Sequence, residues 1–357
     1  MSIEFNESKN QFYLHTKKSS YIIELLDGRI PLHAYWGKTL KNMPPMGEWK
    51  STQNATMTPM DTGMPWGQFA NFGTLPLEYP VYGTGDMRET AFLAKYDNGS
   101  RTTRLECTCH KMIAGKPALS GLPATYGDES EVQTLVITLR DSLTGLEAEL
   151  YYSVFEKYDA ITRSVRFINK GEKALFINKA ASMSVDIYGA GEMELFHLYG
   201  WWARERHIER TPLMEGIQKI DSKRGASGHH HNPFIALTEK KADETHGEVY
   251  GFSLVYSGSF EAGVELDFYR NARITLGINS FDFGWKLNPD EGFQTPEVVM
   301  VFSSEGLGKM SRCYHSLYRN NLCRGEYQYA ERPVLVNNWE ATYFDFNEEK
   351  LLAIAEK

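Results

Sequence analysis

Four cysteines in 357 residues, Cys107, Cys109, Cys313 and Cys323, are too few to staple a chain of this size. They exclude a disulfide-rich secreted scaffold and read as reduced thiols. Cys107 and Cys109 stand too close in sequence for an ordinary zinc knuckle, and on a strand both side chains would point to one face. No stretch approaches 18 consecutive apolar residues, which excludes a helical membrane span. The N-terminus Met-Ser-Ile-Glu-Phe-Asn-Glu lacks a basic segment followed by an apolar one, so no secretory leader is expected. Lysine and arginine form no block and the formal net charge is −8, which argues against nucleic acid, because binding phosphates needs a basic footprint. These absences predict a soluble cytoplasmic protein that acts on neutral or polar molecules.

Aromatic residues, by contrast, are plentiful: 20 Tyr, 19 Phe and 7 Trp make up 13% of the chain. They fit pleated, half-buried surfaces and favour a β-rich protein that touches ligands. The patterning agrees. Phe12–His15, Tyr21–Leu26 and Leu32–Trp36 read as strands, with Asp27-Gly28 as a turn. Gln133–Leu139, Leu146–Val154 and Ala160–Ile168 alternate, with turns at 141–145 and at Asn169-Lys170-Gly171. Further strands are expected at 247–256, 263–268 and 296–302. Repeated alternating strands with turn signals predict a large antiparallel β-sandwich.

Three stretches interrupt that rhythm. Residues 39–77 show no periodicity but are rich in Met, Trp, Phe and Pro, as expected of a lid, binding loop or interface arm. In Glu78–Arg88, two glycines stand beside a charged pair, Asp86 and Arg88, readable either as a sugar-binding turn or as a tight corner. Residues 193–234 carry Trp201 and Trp202 beside Arg204, Glu205 and Arg206, and then His229, His230 and His231. Adjacent histidines cannot converge on one ion without a strained loop, so no metal or other cofactor is expected. The tryptophans are the better site signal, since sugar rings present apolar C–H faces to indoles.

Near the C-terminus, Leu307, Met310, Tyr314, Leu317 and Tyr318 recur at helical spacing, which predicts a linking helix. Val334–Val336 then forms a short apolar run, followed at once by Asn337-Asn338-Trp339-Glu340 and by a helical pattern from Asn347. A strand whose C-terminal end turns polar and aromatic, feeding a helix, has the layout of the first unit of a (β/α)8 barrel. Such a barrel takes about 250 residues, so only its beginning is expected here.

Several of these blocks together are diagnostic: Tyr35-Trp36-Gly37-Lys38, Glu78-Tyr79-Pro80 with Asp86 and Arg88, Trp202-Ala203-Arg204-Glu205-Arg206-His207, Arg224-Gly225-Ala226-Ser227 with His231-Asn232-Pro233-Phe234, Phe281-Asp282-Phe283 with Trp285, Phe293–Met300, and Asn337–Thr342. They resemble bacterial α-galactosidases of glycoside hydrolase family 36, nearly end to end. The resemblance implies a mainly β fold, in which a large antiparallel β-supersandwich (1–303) leads through a linking helix segment (304–332) to the truncated start of a (β/α)8 catalytic barrel (333–357).

The resemblance also implies retaining hydrolysis of terminal α-galactosides of the melibiose and raffinose type. Two aspartates on later barrel strands do this chemistry, a retaining pair standing about 5 Å apart. Neither lies in this sequence, so no residue here is named catalytic and the chain alone should be inactive. Trp339 matches a tryptophan that lines the galactose pocket, and Trp202 matches one that reaches the sugar from the sandwich. Family members form homo-tetramers in which a loop acid and a following arginine enter a neighbouring subunit's site. Asn54 aligns with that acid, and no arginine follows before Arg88; Asp61 or Trp66 are the candidate replacements. The alternative reading is a non-catalytic carbohydrate-binding or assembly module.

Overall fold

The structure, a computed structural model, describes residues 2–46 and 72–357. The chain opens with a four-stranded meander of β1 (Ile3–Asn6), β2 (Gln11–His15), β3 (Ser19–Leu26) and β4 (Ile30–Lys38), each paired antiparallel with the next. Asp27 and Gly28 both take positive φ at the turn from β3 to β4, the backbone that a tight hairpin demands. Gly28 has open space around it, so its glycine serves conformation rather than clearance.

Next come β5 (Phe92–Lys95), β6 (Glu106–Ala114), β7 (Gln133–Arg140), β8 (Leu146–Phe155), β9 (Ala160–Asn169) and β10 (Leu175–Ile187). They are followed by β11 (Met193–Trp201), β12 (Arg204–Pro212), β13 (Gly216–Asp221), β14 (His231–Glu239) and β15 (Val249–Val255). The last strands are β16 (Phe260–Leu266), β17 (Ala272–Ile278), β18 (Trp285–Leu287), β19 (Gly292–Gln294) and β20 (Glu297–Ser303). A ten-stranded sheet runs in the order β12-β11-β14-β15-β20-β9-β8-β7-β6, with β19 beside β9. A six-stranded sheet runs β13-β16-β17-β10-β18, with β5 beside β10. One continuous apolar core draws Phe12 and Tyr21 from the meander, Leu150, Val154 and Phe167 from the large sheet, and Val185 and Ile274 from the small one. The expected antiparallel supersandwich is therefore present.

Three expectations need correction. Residues 193–234 do not break the strand rhythm; they form β11, β12, β13 and the start of β14. The alternation is hidden because β12 is the edge strand of the large sheet. Charged residues such as Arg204, Glu205, Arg206 and Glu209 suit an edge that must not pair with another chain. The second concerns Cys107 and Cys109. A bulge between them breaks the period of two, leaving Cys107 half-buried against the core and Cys109 exposed. Burial pushes the Cys107 thiol up to about 11.

Helix α1 (Gly306–Asn321) lays Met310, Cys313, Tyr314 and Leu317 on the outward face of the large sheet, over Phe155, Ala160, Val299 and Val301. The Tyr314 hydroxyl donates to the Val299 carbonyl at 3.1 Å. The predicted linking helix thus packs as its periodicity required.

The apolar run Val334–Val336 differs from expectation, because it is not paired as a strand. Val334 is 97% exposed and Leu335 is 89% exposed. A parallel strand is held by neighbours on both sides, and no such neighbour lies among the described residues. Beyond it stand two short helices, α2 (Trp339–Thr342) and α3 (Glu348–Ala355), the latter capped by the Asn347 side chain, which accepts from the Lys350 N–H at 3.0 Å.

Candidate functional site

The candidate site residues occupy three places. Trp339 opens α2, where its N–H donates to Asn337 Oδ1 at 3.1 Å. Asn338 Nδ2 donates to Thr342 Oγ1 at 2.7 Å and closes the turn from the other side. Edge contacts from Tyr343, at 5.4 Å between ring centroids, and Phe344, at 5.0 Å, orient the indole, which stays 46% exposed. Two amides, an indole and the Glu340 carboxylate thus share a compact corner with an open aromatic face.

Trp202 lies with Ala203 in the two-residue turn between β11 and β12. Ala203 has φ 59°, and a Cβ on Gly200 would lie 2.2 Å from the Arg204 carbonyl oxygen, so the close crossing here requires glycine. The two tryptophans diverge in role. Trp201 holds the Arg204 guanidinium 4.3 Å from its ring centroid and touches Tyr199. Trp202 has no ring or cation partner among the described residues and is 78% exposed. Of the two, Trp202 is the one free to meet a ligand. No ring contact or hydrogen bond among the described residues joins it to Trp339.

Asn54, Asp61 and Trp66 lie outside the described residues. The described ends of their loop fold onto the meander, with Met43, Met46, Phe72 and Leu77 packed around Tyr13, Ile22 and Leu32. Arg88 secures the second end, donating to the carbonyls of Phe72 at 3.1 Å and Leu75 at 2.5 Å. Its Nε meets Asp86 at 2.9 Å, while Asp86 pairs with Arg273 at 2.7 Å and Arg273 pairs with Asp186 at 2.8 Å. Asp86, buried, and Arg88, partly buried, therefore belong to a charge network that ties the loop to β17 and β10. Of the two readings left open for this turn, the corner is what the geometry favours.

The three histidines part company. His229 and His230 lie tilted against each other at 4.6 Å, whereas His231 faces His197 at 5.6 Å and Tyr199 at 5.1 Å. Burial lowers the pKa of both His197 and His231, and His197 lowers that of His231 further, favouring neutral imidazoles. No group of three or more His, Cys, Asp or Glu among the described residues is placed to hold a metal ion. No helix there is long and apolar enough to cross a membrane.

One feature had no clear signal in the sequence. A groove of about 790 Å³ opens on the outward face of the large sheet, between residues 116–122 on one side and β18 and β19 on the other. Its residues are scattered over β8, β9 and β18 to β20, and only three-dimensional pairing assembles them.

Comparison with known proteins agrees with this architecture. The family profile described as the glycosyl hydrolase family 36 N-terminal domain matches residues 29–288, and one described as melibiase matches residues 292–357. The α-galactosidase AgaA of Geobacillus stearothermophilus is 49% identical over 356 residues, 99% of this chain and 48% of that enzyme. The α-galactosidase Mel36A of Lactobacillus acidophilus is 40% identical over 99% of this chain and 48% of its own length. The crystal structure of AgaB from Geobacillus stearothermophilus superposes with TM-score 0.93 at 49% identity, covering 100% of this chain and 48% of that one. A variant of AgaA in complex with raffinose superposes with TM-score 0.91 at 49% identity, over 97% and 48%. The chain spans about half the length of the curated relatives it matches, and it belongs to glycoside hydrolase family 36.

Proposed function

We propose that this chain is the sandwich and part of the sugar-pocket wall of a retaining α-galactosidase acting on melibiose- and raffinose-type galactosides. The observation that carries the reading is the 49% identity to AgaA across 99% of the chain. In this reading residues 1–303 form the supersandwich, 304–332 the linking segment, and 333–357 the start of the catalytic barrel. The exposed apolar run at Val334 and Leu335 supports that boundary, since exposed valine and leucine in sequence call for a partner surface.

Trp339 then stacks on the galactose ring beside the barrel aspartates, Trp202 reaches the sugar from the β11–β12 hairpin, and Asn54 contacts it from the long loop. The half-open indole of Trp339 and the exposed indole of Trp202 suit apolar sugar faces. A homo-tetramer working in the cytoplasm completes the reading, consistent with the four free thiols. No residue of this chain is assigned as nucleophile or acid.

The test is kinetic. Residues 1–357 are joined to the remaining half of AgaA, and hydrolysis of raffinose is compared with that of the Trp339→Ala and Trp202→Ala forms. Loss of stacking should lower kcat/KM about tenfold or more for Trp339→Ala. Unchanged kinetics in both variants would remove these tryptophans from the site.

A further inference from the structure

The outward face of the ten-stranded sheet changes character along its strands. Under α1 it is apolar, formed by Phe155, Ala160, Val299 and Val301. Farther along the same face the sequence switches to Tyr151, Ser153, Thr162, Ser164 and Arg166. The period of two in β8 and β9 and the register pairs Tyr151↔Ser164 and Ser153↔Thr162 put these residues on one surface. Gln294 pairs with Arg166 and extends it across β19. Among the described residues, no helix covers this part of the sheet. It is instead the floor of the groove of about 790 Å³, a volume within the range of small-molecule sites.

The floor and walls have the polarity of a sugar site. Ser164 and Thr162 are nearly inaccessible yet line the groove, so their hydroxyls sit at its base. Gln294 spends its amide hydrogens on the carbonyls of Val165 and Thr295, both at 3.1 Å, which fixes the side chain and leaves its Oε1 as an acceptor. At the inner end, the buried Lys116 ammonium stands 2.6 Å from Glu297 Oε2 and finds no further acceptor among the described residues. Glu297 Oε1 accepts from the Thr125 N–H and hydroxyl at 2.9 and 2.8 Å, which holds the carboxylate in place. The opposite wall is aromatic: Trp285, 45% exposed, leans on Phe293 at 5.2 Å, and Phe283 lies 5.9 Å from the same ring.

From this arrangement we propose that the groove binds a neutral oligosaccharide, one sugar ring lying against Trp285 while its hydroxyls meet Gln294, Arg166 and the serine–threonine floor. A face meant for burial by protein would continue the apolar pattern found under α1, since buried hydroxyls without partners cost stability. The choice of an α-galactoside as the sugar rests on the function proposed above; the groove itself does not.

Calorimetric titration of the 357-residue chain with raffinose tests the proposal. Saturable binding is expected, weakened about tenfold or more in Trp285→Ala and in the exposed Arg166→Gln, and unchanged in Leu143→Ala, at an exposed turn residue that does not line the groove. Retained far-ultraviolet circular dichroism and melting temperature separate lost binding from lost folding. Absence of saturable binding overturns the proposal, as does binding that depends on Trp202 or Trp339 and ignores Trp285. So does protection of Trp285 from iodide quenching in the fusion with the second half of AgaA, which would make the groove a protein seat. A fusion that hydrolyses raffinose while the groove stays silent removes the groove alone. Groove binding in an inactive fusion removes the enzymatic reading alone.

Discussion

Arg163 of β9 and Glu78 of the loop before β5 meet at 2.9 Å in the middle of the sandwich, both out of reach of water. The carboxylate is surrounded by donors. Glu78 Oε1 also accepts from the Tyr21 hydroxyl at 2.6 Å and the Tyr152 hydroxyl at 2.8 Å, and Arg163 donates in addition to the Ser184 carbonyl at 2.6 Å. One loop, the meander, the large sheet and the small sheet are thus joined at a single point.

Removing one partner strands the other charge in an apolar core. Glu78→Ala should destabilise the chain by about 3–5 kcal/mol, and Arg163→Ala by a similar amount. Urea unfolding checks this. The double variant should lose less than the two single losses combined, because the second removal no longer strands a charge. Strict additivity would mean that the pair is not coupled.

The same group links stability to acid. Burial alone would raise the Glu78 carboxyl, but Arg163, with His33 and Tyr21, holds it below the usual carboxylate range. Asp86 is likewise lowered, against its burial, by Arg273 and Arg88. Carboxylates that bind protons more weakly folded than unfolded stabilise fully above their unfolded pKa near 4, and that contribution is lost as pH falls through the folded value. Stability should therefore drop steeply below about pH 4, and the drop should be shallower in Glu78→Gln. Equal acid slopes in the two proteins would contradict the assignment.

Helix α1 and helix α3 should respond in opposite ways. Leu317 is fully buried on the sheet, so Leu317→Ala should cost about 2–5 kcal/mol through lost transfer and an unfilled cavity. Leu352 of α3 is 55% exposed, and Leu352→Ala should stay within about 0.5 kcal/mol. Comparable losses at the two positions would show that residues beyond Val334 pack more tightly than the fold described here.

Much of the fold was legible because its strands alternate and its turns carry Asp-Gly, Thr-Gly and Lys-Gly pairs. What stayed hidden had physical causes. The charged edge strand β12 masks its own periodicity. The bulge at Thr108 reverses the facing of Cys107 and Cys109, and nothing in two cysteines one residue apart announces it. Val334–Val336 reads as a buried strand because its residues are apolar, yet burial depends on neighbours that periodicity cannot supply. Trp202 and Trp339 were identified by resemblance, and their exposure gives each an open face. The groove around Trp285 was out of reach, since Ser164, Gln294 and Lys116 meet only through sheet register.

The central claim is that this chain supplies scaffold and pocket wall, while the carboxylates of catalysis belong to later barrel strands. Hydrolysis of p-nitrophenyl α-galactoside by the 357-residue chain, assayed beside its fusion to the second half of AgaA, tests it most directly. The account predicts release of p-nitrophenol by the fusion and none above background by the chain alone. Turnover by the chain alone would contradict it and would require a catalytic pair among its own aspartates and glutamates.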